Sequence, residues 1–304
     1  AGLAVKSEKE TGYYDRFRGR IMFPILDGAG RVVGFSGRIF EKDLSAAGGT
    51  EVEAVPAKYI NTPQTILYDK SRLLYGFDKA KTEIRKKNEA VILEGQMDLI
   101  MSYQAGVLNA VAVSGTALTP QHLINLKRLC DTLVMSFDMD DAGFEATKKS
   151  IDLALAAGFS IKVVLIPGAK DPADLIKENS SVWPNVLEKA KPVIAFLLEI
   201  LKTRYQDVLT FKKEVGRIVL PHISAMLSEI DKAHWVSEVA RAIKTREESV
   251  WQELGRIKTL PKNIAPNDSR PQIRSRRSLL EERLIGLAAW GKEDLYEIFK
   301  ECLP

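Results

Sequence analysis

Four short apolar runs set the fold of this chain: AVILEG (90–95), VLNAVAVSG (107–115), DTLVMSFD (131–138) and IKVVLIPG (161–168). Longer segments with the spacing of amphipathic helices lie between them. One predicted helix closes at Gly106, and the next begins with Thr119 as N-cap and Pro120 at its first position. Strands that alternate with such helices require crossover connections. The pattern therefore predicts a parallel sheet covered by helices on both faces.

Carboxylates follow three of these four strands. Glu94 follows the first strand, Asp138 and Asp140 the third, and Asp171 comes shortly after the fourth. Ligands of open parallel sheets gather beyond the carboxyl ends of the strands, so these side chains would meet if the three strands are neighbours. Crowded carboxylates are costly unless a cation neutralises them, and oxygen-only ligands favour Mg²⁺ or Mn²⁺. Such a site next to basic residues suits phosphoryl or nucleotidyl transfer.

Each of these acids also has a purely structural interpretation. Glu94 and Asp138 would then be strand-end acids that face water. Asp171 opens the segment DPADLIKEN (171–179), where it fits an N-cap followed by proline. Asp98 and Asp141 lie early in predicted helices, where the helix dipole favours an acid. The functional interpretation depends on the recurrence of acids along one sheet, and not on any single residue.

Positive charge concentrates in the first quarter of the chain. Strand-like text on either side of DGAG (27–30) predicts a hairpin, and 41–57 is expected to be a surface loop. The alternation in RFRGR (16–20) predicts Arg16, Arg18 and Arg20 on one strand face. Cations and an aromatic ring typical of a track for single-stranded nucleic acid follow at Lys58, Tyr59 and Lys70, although solvated surface charge would give the same pattern.

The periodicity downstream is helical from 183 to 258, and a Pro-, Asn- and Arg-rich linker and a final amphipathic stretch follow. We therefore divide the chain into five parts: a basic mixed α+β part (1–88), the alternating part (89–180), a helical part (181–258), a linker (259–277) and the opening of a further helical region (278–304).

Composition narrows the possible functions. The chain has 304 residues, of which 45% are hydrophobic and 28% charged, with a net charge of +4, as is ordinary for a globular protein. No apolar run approaches the roughly 20 residues of a membrane span, so we expect no membrane contact and a cytoplasmic setting. Cys130 and Cys302 have no Cys or His companions at zinc-ligand spacing, so we expect no zinc and no disulfide framework.

The motifs resemble a known family. A glutamate followed downstream by Asp-x-Asp is the Toprim signature, and the flanking text is similar to that of bacterial DnaG-type primases. The Toprim motifs are EGQMD (94–98), DMDDAG (138–143) and GAKDPADLI (168–176). The primase-like segments are YYDRFRGRIMFPI (13–25), VVGFSGR (32–38), KYINTPQT (58–65), LYDKSRLLYG (67–76) and SGTALTPQHL (114–123).

The resemblance implies an RNA-polymerase core that joins ribonucleotides into short primers on single-stranded DNA. In fold terms it implies a Toprim-type parallel sheet flanked by helices, a mixed basic N-terminal subdomain and a helical C-terminal subdomain. Glu94, Asp138 and Asp140 would be catalytic, and Asp98 and Asp171 would join them around Mg²⁺ or Mn²⁺. The template- and nucleotide-binding positions would be Arg16, Arg38, Lys58, Tyr59, Asn61 and Lys70.

Some consequences of the resemblance stay open. Glu94 would act either as a further metal ligand or as the proton acceptor for a 3′-hydroxyl. Ala173 stands where many members have another aspartate, which puts an extra ligand from this loop in doubt. A replicative helicase would bind through a C-terminal domain that the chain does not complete. The alternatives are another Toprim enzyme, a topoisomerase or a nuclease, and a non-catalytic adapter that docks a helicase.

Overall fold

The computed structural model describes residues 2–6, 12–40, 57–137, 141–166 and 171–257. All of them lie in the first of two units into which the chain divides, residues 1–262. The predicted internal boundaries at 88, 180 and 258 stay predictions. The predicted loop at 41–57 lies, except for Ala57, outside the described residues, as do the predicted linker and the final helical region.

A five-stranded sheet forms the centre of this unit, in the order β10-β9-β8-β6-β7. Its first four strands in sequence run parallel, and β10 pairs antiparallel at the edge. Each parallel strand arises from one of the four apolar runs, so the predicted parallel sheet is confirmed. The strands are β6 (Glu89–Leu93), β7 (Ala110–Ala112), β8 (Thr132–Phe137), β9 (Ser160–Leu165) and β10 (Lys191–Pro192).

Helices cover both faces of the sheet. Successive residues of a strand point to opposite faces, so neighbouring apolar residues of β6 pack against different helices. Val91 and Leu93 belong to a smaller apolar cluster with α2, α5 and α6, whereas Ala90 and Ile92 belong to a larger cluster with α1, α3 and α4. The first six helices are α1 (Phe77–Lys87), α2 (Gln96–Gln104), α3 (Pro120–Lys127), α4 (Asp141–Ala156), α5 (Pro172–Glu178) and α6 (Val182–Glu188).

The predicted helical part is also confirmed as far as it is described. Its apolar stripes extend the larger cluster, and two of its helices begin at side-chain caps. Asp207 accepts from Thr210 N–H at 2.7 Å, and Ser228 accepts from Asp231 N–H at 3.1 Å. The two-residue edge strand β10 was not predicted from the sequence, because Lys191–Pro192 is too short to show a period. The helices are α7 (Val193–Arg204), α8 (Val208–Ala225), α9 (Glu229–Ala242) and α10 (Glu247–Arg256).

The N-terminal part contains two small antiparallel sheets. The hairpin predicted around DGAG joins β3 to β4, and the Asp27 carboxylate holds its turn by accepting from the N–H groups of Ala29 (2.9 Å) and Arg31 (3.0 Å). β5 pairs with β4 on its other edge. The strands are β1 (Ala4–Lys6), β2 (Tyr13–Asp15), β3 (Arg20–Leu26), β4 (Val32–Ile39) and β5 (Tyr59–Asn61).

The prediction that Arg16, Arg18 and Arg20 share one strand face is wrong. Residues 16–19 form a turn with Gly19 at φ 59°, and only Arg20 lies in a strand. The partly exposed Arg20 guanidinium instead donates to the backbone carbonyls of Gly37 at 3.1 Å and Ala57 at 2.9 Å. Burial lowers the pKa of Arg20 from its usual value.

We expect Arg20→Ala to lower the free energy of unfolding by about 1–2 kcal/mol, because it removes charged hydrogen bonds to two separated segments. Arg31→Ala is the matched control, since the Arg31 side chain is exposed and its ion pair with Asp27 should contribute little to stability. Urea denaturation measures both. A loss for Arg20→Ala no greater than that for Arg31→Ala would contradict the structural role.

Candidate active site

The strand order makes neighbours of the three strands that precede the predicted acidic segments. β9, β8 and β6 are adjacent and parallel, so their carboxyl ends share one rim of the sheet. Glu94 follows β6 directly and is exposed, and Asp171 is exposed at the start of α5. Asp138 and Asp140 lie between the end of β8 and the start of α4, outside the described residues. Their place in the site stays a prediction.

Asp98 lies at the centre of the described part of this rim. Its side chain is buried, and each carboxylate oxygen accepts a backbone N–H: Oδ2 from Gly95 at 3.0 Å and Oδ1 from Ala173 at 3.3 Å. Burial, with the nearby charges of Asp171 and Glu94 adding to it, raises the pKa of Asp98 to about 6. Asp98 therefore joins the start of α2 to the start of α5 and fixes two rim segments relative to each other.

Gly95 permits this arrangement. A Cβ at this position would lie 2.9 Å from Asp98 Oδ2, too close for an unstrained contact. The residues alone indicated that Asp98 lies early in a helix, and the family resemblance placed it among the acids of the site. Its bond to Ala173, 75 residues away, is a tertiary contact that no local pattern reveals.

Asp171 has the N-cap geometry expected for its structural interpretation. Its Oδ1 accepts from Asp174 N–H at 2.8 Å, and Pro172 follows as the first residue of α5. One carboxylate oxygen of Asp171 thus caps the N-terminus of α5. The charge of Asp171 still raises the pKa of Asp98, so Asp171 can cap α5 and also add negative charge to the rim.

The ligands predicted for this rim are all carboxylates, which supply the oxygen atoms that a hard divalent cation prefers. Among the described residues, however, no three His, Cys, Asp or Glu side chains are grouped so as to hold a metal ion. Glu94, Asp98 and Asp171 therefore do not complete a site by themselves. The predicted metal set of Glu94, Asp98, Asp138, Asp140 and Asp171 therefore stays a prediction, because Asp138 and Asp140 lie outside the described part of the chain.

The loop after β7 also reaches this rim, and sequence reasoning assigned it no role. Ser114 N–H donates to the carbonyl of Glu94 at 2.9 Å. Ser114 and Gly115 both adopt the left-handed region, at φ 54° and 75°. The Ser114 hydroxyl is buried and has no hydrogen-bond partner in the described structure. The SGT motif was the available signal, since glycine next to a strand end marks an unusual backbone.

The predicted nucleic-acid residues are placed mainly along β4 and β5. The Arg38 guanidinium lies 5.7 Å from the centre of the Tyr59 ring and donates to its hydroxyl at 3.4 Å. Arg16 Nε donates to the Asn61 carbonyl at 3.3 Å. Lys58 is exposed. Lys70 lies apart from these strands, in the loop between β5 and α1, where it is half-buried.

Two further observations concern the reactivity of Cys130 and the search for helices that could cross a membrane. Burial raises the pKa of the Cys130 thiol to about 11, so this cysteine is not a ready nucleophile at neutral pH. Within the residues that the structure covers, no helix combines the length and the apolar character that a membrane crossing requires.

Two family models match the chain. Residues 1–81 match the N-terminal domain of the DNA primase catalytic core, and residues 91–176 match a Toprim-like domain. The first range ends at residue 81, in α1, and the second begins at residue 91, in β6. They separate the basic part from the part that carries the acidic rim.

Similar proteins agree with these models. A DNA primase of Staphylococcus aureus is 34% identical over 95% of this chain, and a DNA primase of Halalkalibacterium halodurans is 33% identical over 84% of it. The chain spans 46% and 41% of these relatives, less than half of their length.

A solved DnaG primase catalytic domain bound to single-stranded DNA is 30% identical, with a TM-score of 0.66. The match covers 82% of this chain and 75% of that one. The predicted Toprim fold, with its basic N-terminal and helical C-terminal parts, is therefore confirmed. The chain belongs to the DnaG-type DNA primase family and corresponds to part of its catalytic core.

Proposed function

We propose that this chain synthesises short RNA primers on a single-stranded DNA template by metal-dependent nucleotidyl transfer. The observation that carries the proposal is the adjacency of β6, β8 and β9, because the segments bearing Glu94, Asp138, Asp140 and Asp171 follow these strands in the sequence. Ribonucleoside triphosphates are the substrates, and each step forms a bond from a 3′-hydroxyl to an α-phosphate, with pyrophosphate leaving.

Asp138 and Asp140 would hold Mg²⁺ or Mn²⁺, with Glu94 and Asp171 at the edge of the site. Such an ion offsets charge on the attacking and leaving oxygens. The chain supplies position: Asp98 holds the starts of α2 and α5 together through its two backbone hydrogen bonds. Glu94 is exposed beside them, as a further ligand or as the acceptor of the 3′-hydroxyl proton.

The basic N-terminal part would bind the template. In support of this, Arg38 contacts Tyr59 and Arg16 contacts the Asn61 carbonyl, while Lys58 directly precedes β5 and Lys70 follows it in the next loop. Phosphate contacts by such cations give affinity without sequence preference. The similar catalytic domain solved with single-stranded DNA supports this partner.

The replication setting is part of the same proposal. In the whole protein, a replicative helicase would be the partner of the region beyond the catalytic core. The enzyme would then act at the bacterial replisome, in the cytoplasm.

A direct synthesis assay tests the activity. The chain, a single-stranded oligonucleotide, labelled ribonucleoside triphosphates and Mg²⁺ or Mn²⁺ should give template-dependent RNA oligomers on a gel. Addition of a chelator should abolish them. RNA that forms equally without template, or the absence of any product with both metals, would overturn the proposal.

Salt dependence tests the template residues. Affinity for single strands falls with salt by roughly 0.7 log unit per tenfold change for each neutralised phosphate. Lys58→Ala and Lys70→Ala should each flatten this slope by less than about one unit and weaken binding alike for all sequences. Lys202→Ala, an exposed lysine of α7, is the control and should leave the slope unchanged. Fluorescence anisotropy at several salt concentrations measures all three, and an unaltered slope in both Lys58→Ala and Lys70→Ala would remove these residues from the template path.

A further inference from the structure

The loop that carries Lys70 is attached to α3 by three consecutive carbonyls. His122 Nε2 lies 3.0 Å from the Lys70 carbonyl, Thr119 Oγ1 donates to that of Ser71 at 2.6 Å, and Asn125 Nδ2 donates to that of Arg72 at 3.2 Å. Thr119, His122 and Asn125 are spaced by three, so they form one side of the start of α3. We call these three residues the α3 clamp.

The partners of His122 determine where its proton lies. Thr119 N–H can only donate, and it points at Nδ1 from 3.3 Å, so Nδ1 carries no proton. Nε2 therefore carries the hydrogen and donates to the Lys70 carbonyl. The ring is fully buried, and burial lowers the pKa of His122, which favours this neutral form. One side chain thus completes the helix cap and holds the loop.

The α3 clamp connects a helix that is packed in the core to a loop that is held by its own hydrogen bonds. Leu123 and Leu126 of α3 are fully buried in the larger apolar cluster beneath the sheet. On the loop side, Asp69 Oδ1 accepts both Ser71 N–H at 2.9 Å and the Ser71 hydroxyl at 2.7 Å. The backbone of Lys70 is therefore fixed between a preformed turn and a helix packed on the sheet that bears the carboxylate rim.

We propose that His122 is a positioning residue for Lys70, which places the Lys70 ammonium to bind a phosphate group of the nucleotide or of the template. The proposal rests on the proposed function. The rim carries the acids and Lys70 carries a cation on a separate loop, so a substrate that spans both requires their spacing to be fixed. A long lysine on a mobile backbone would lose part of its binding energy to conformational entropy.

Two substitutions separate positioning from helix capping. In His122→Gln, the amide nitrogen can take the place of Nε2 and keep the bond to the Lys70 carbonyl. In His122→Asn, the shorter amide can replace Nδ1 at the cap and cannot reach the loop. His222→Asn is the control for general destabilisation, because His222 is equally buried and pairs with Asp152 at 2.5 Å on other helices.

Steady-state primer synthesis by the 304-residue chain and anisotropy with a single-stranded oligonucleotide provide the readouts. We expect His122→Asn to raise the KM for ribonucleoside triphosphates, or the Kd for the oligonucleotide, about tenfold, with kcat changed less than about threefold. A rise in KM identifies a nucleotide phosphate, and a rise in Kd a template phosphate. His122→Gln and His222→Asn should stay within about threefold of the unsubstituted chain.

A double-mutant cycle completes the test. If His122 acts through Lys70, His122→Asn should add little to the defect of Lys70→Ala. Additive defects, or equal values for His122→Asn and His122→Gln, would overturn the positioning role while leaving primer synthesis in place. Absence of primers from the unsubstituted chain would instead overturn the proposed function. Should His122→Asn fail to fold, Asn125→Ala replaces it in the test. Asn125→Ala should then raise the KM for ribonucleoside triphosphates or the Kd for the oligonucleotide, and an unchanged KM and Kd would overturn the proposal.

Discussion

Asp138→Ala and Asp140→Ala are each expected to reduce primer synthesis by about 100-fold or more, the scale of losing one group that stabilises developing charge. Asp138 and Asp140 follow β8, the strand between those that lead to Glu94 and Asp171. Without a metal ion, removing a carboxylate from this rim relieves repulsion, so the fold should persist. Primer yield at saturating Mg²⁺ and circular dichroism measure the two effects.

Asp131→Ala is the matched control. Asp131 precedes β8 at its opposite end and forms an exposed ion pair with Lys127 at 2.7 Å. Its removal should leave primer synthesis within about twofold, because exposed pairs contribute little. Mg²⁺ should raise the melting temperature of the Asp131→Ala protein but not that of the Asp138→Ala protein, since a ligand stabilises only the form that binds it. Near-normal synthesis by Asp138→Ala would refute its assignment as a ligand.

The central sheet could be predicted because local pattern and burial agree there. Runs such as AVIL and LVMSF are short and almost entirely apolar, as expected of a strand that is covered on both faces. Caps at Thr119 and Asp171 then marked where α3 and α5 begin. The adjacency of β6, β8 and β9 did not follow from pattern alone, and the predicted convergence of the acids depended on it.

The basic region was harder to predict, because charge alternation says nothing about what a charge contacts. RFRGR has the period of a strand, yet Gly19 turns the chain and Arg20 is used internally. The distant contacts of Asp98 and His122 were also hard to predict, because a local role already explains each residue. Each has a local role at a helix start, and each also holds a segment 75 or 52 residues away.

Trp183→Ala is expected to lower the free energy of unfolding by about 3–5 kcal/mol, the usual cost of emptying a large aromatic site in a core. Trp183 is fully buried in the smaller cluster, with Leu175 and Ile176 of α5. That cluster lies under α2, whose first turn carries Asp98, and α5, which Asp171 caps, so its loss weakens the support of the rim. In a unit of this size the change should lower Tm by roughly 10 °C.

Trp251→Ala provides the comparison, because Trp251 of α10 is 38% exposed and its truncation should cost less than about 2 kcal/mol. Trp183→Phe is informative for a different reason. The Trp183 Nε1–H is buried with no hydrogen-bond partner in the described structure, so phenylalanine removes an unsatisfied donor while keeping much of the ring. Its cost should be well below that of Trp183→Ala. Urea denaturation monitored by circular dichroism ranks the three proteins, and a loss for Trp183→Ala no larger than that for Trp251→Ala would show that the smaller cluster does not depend on this ring.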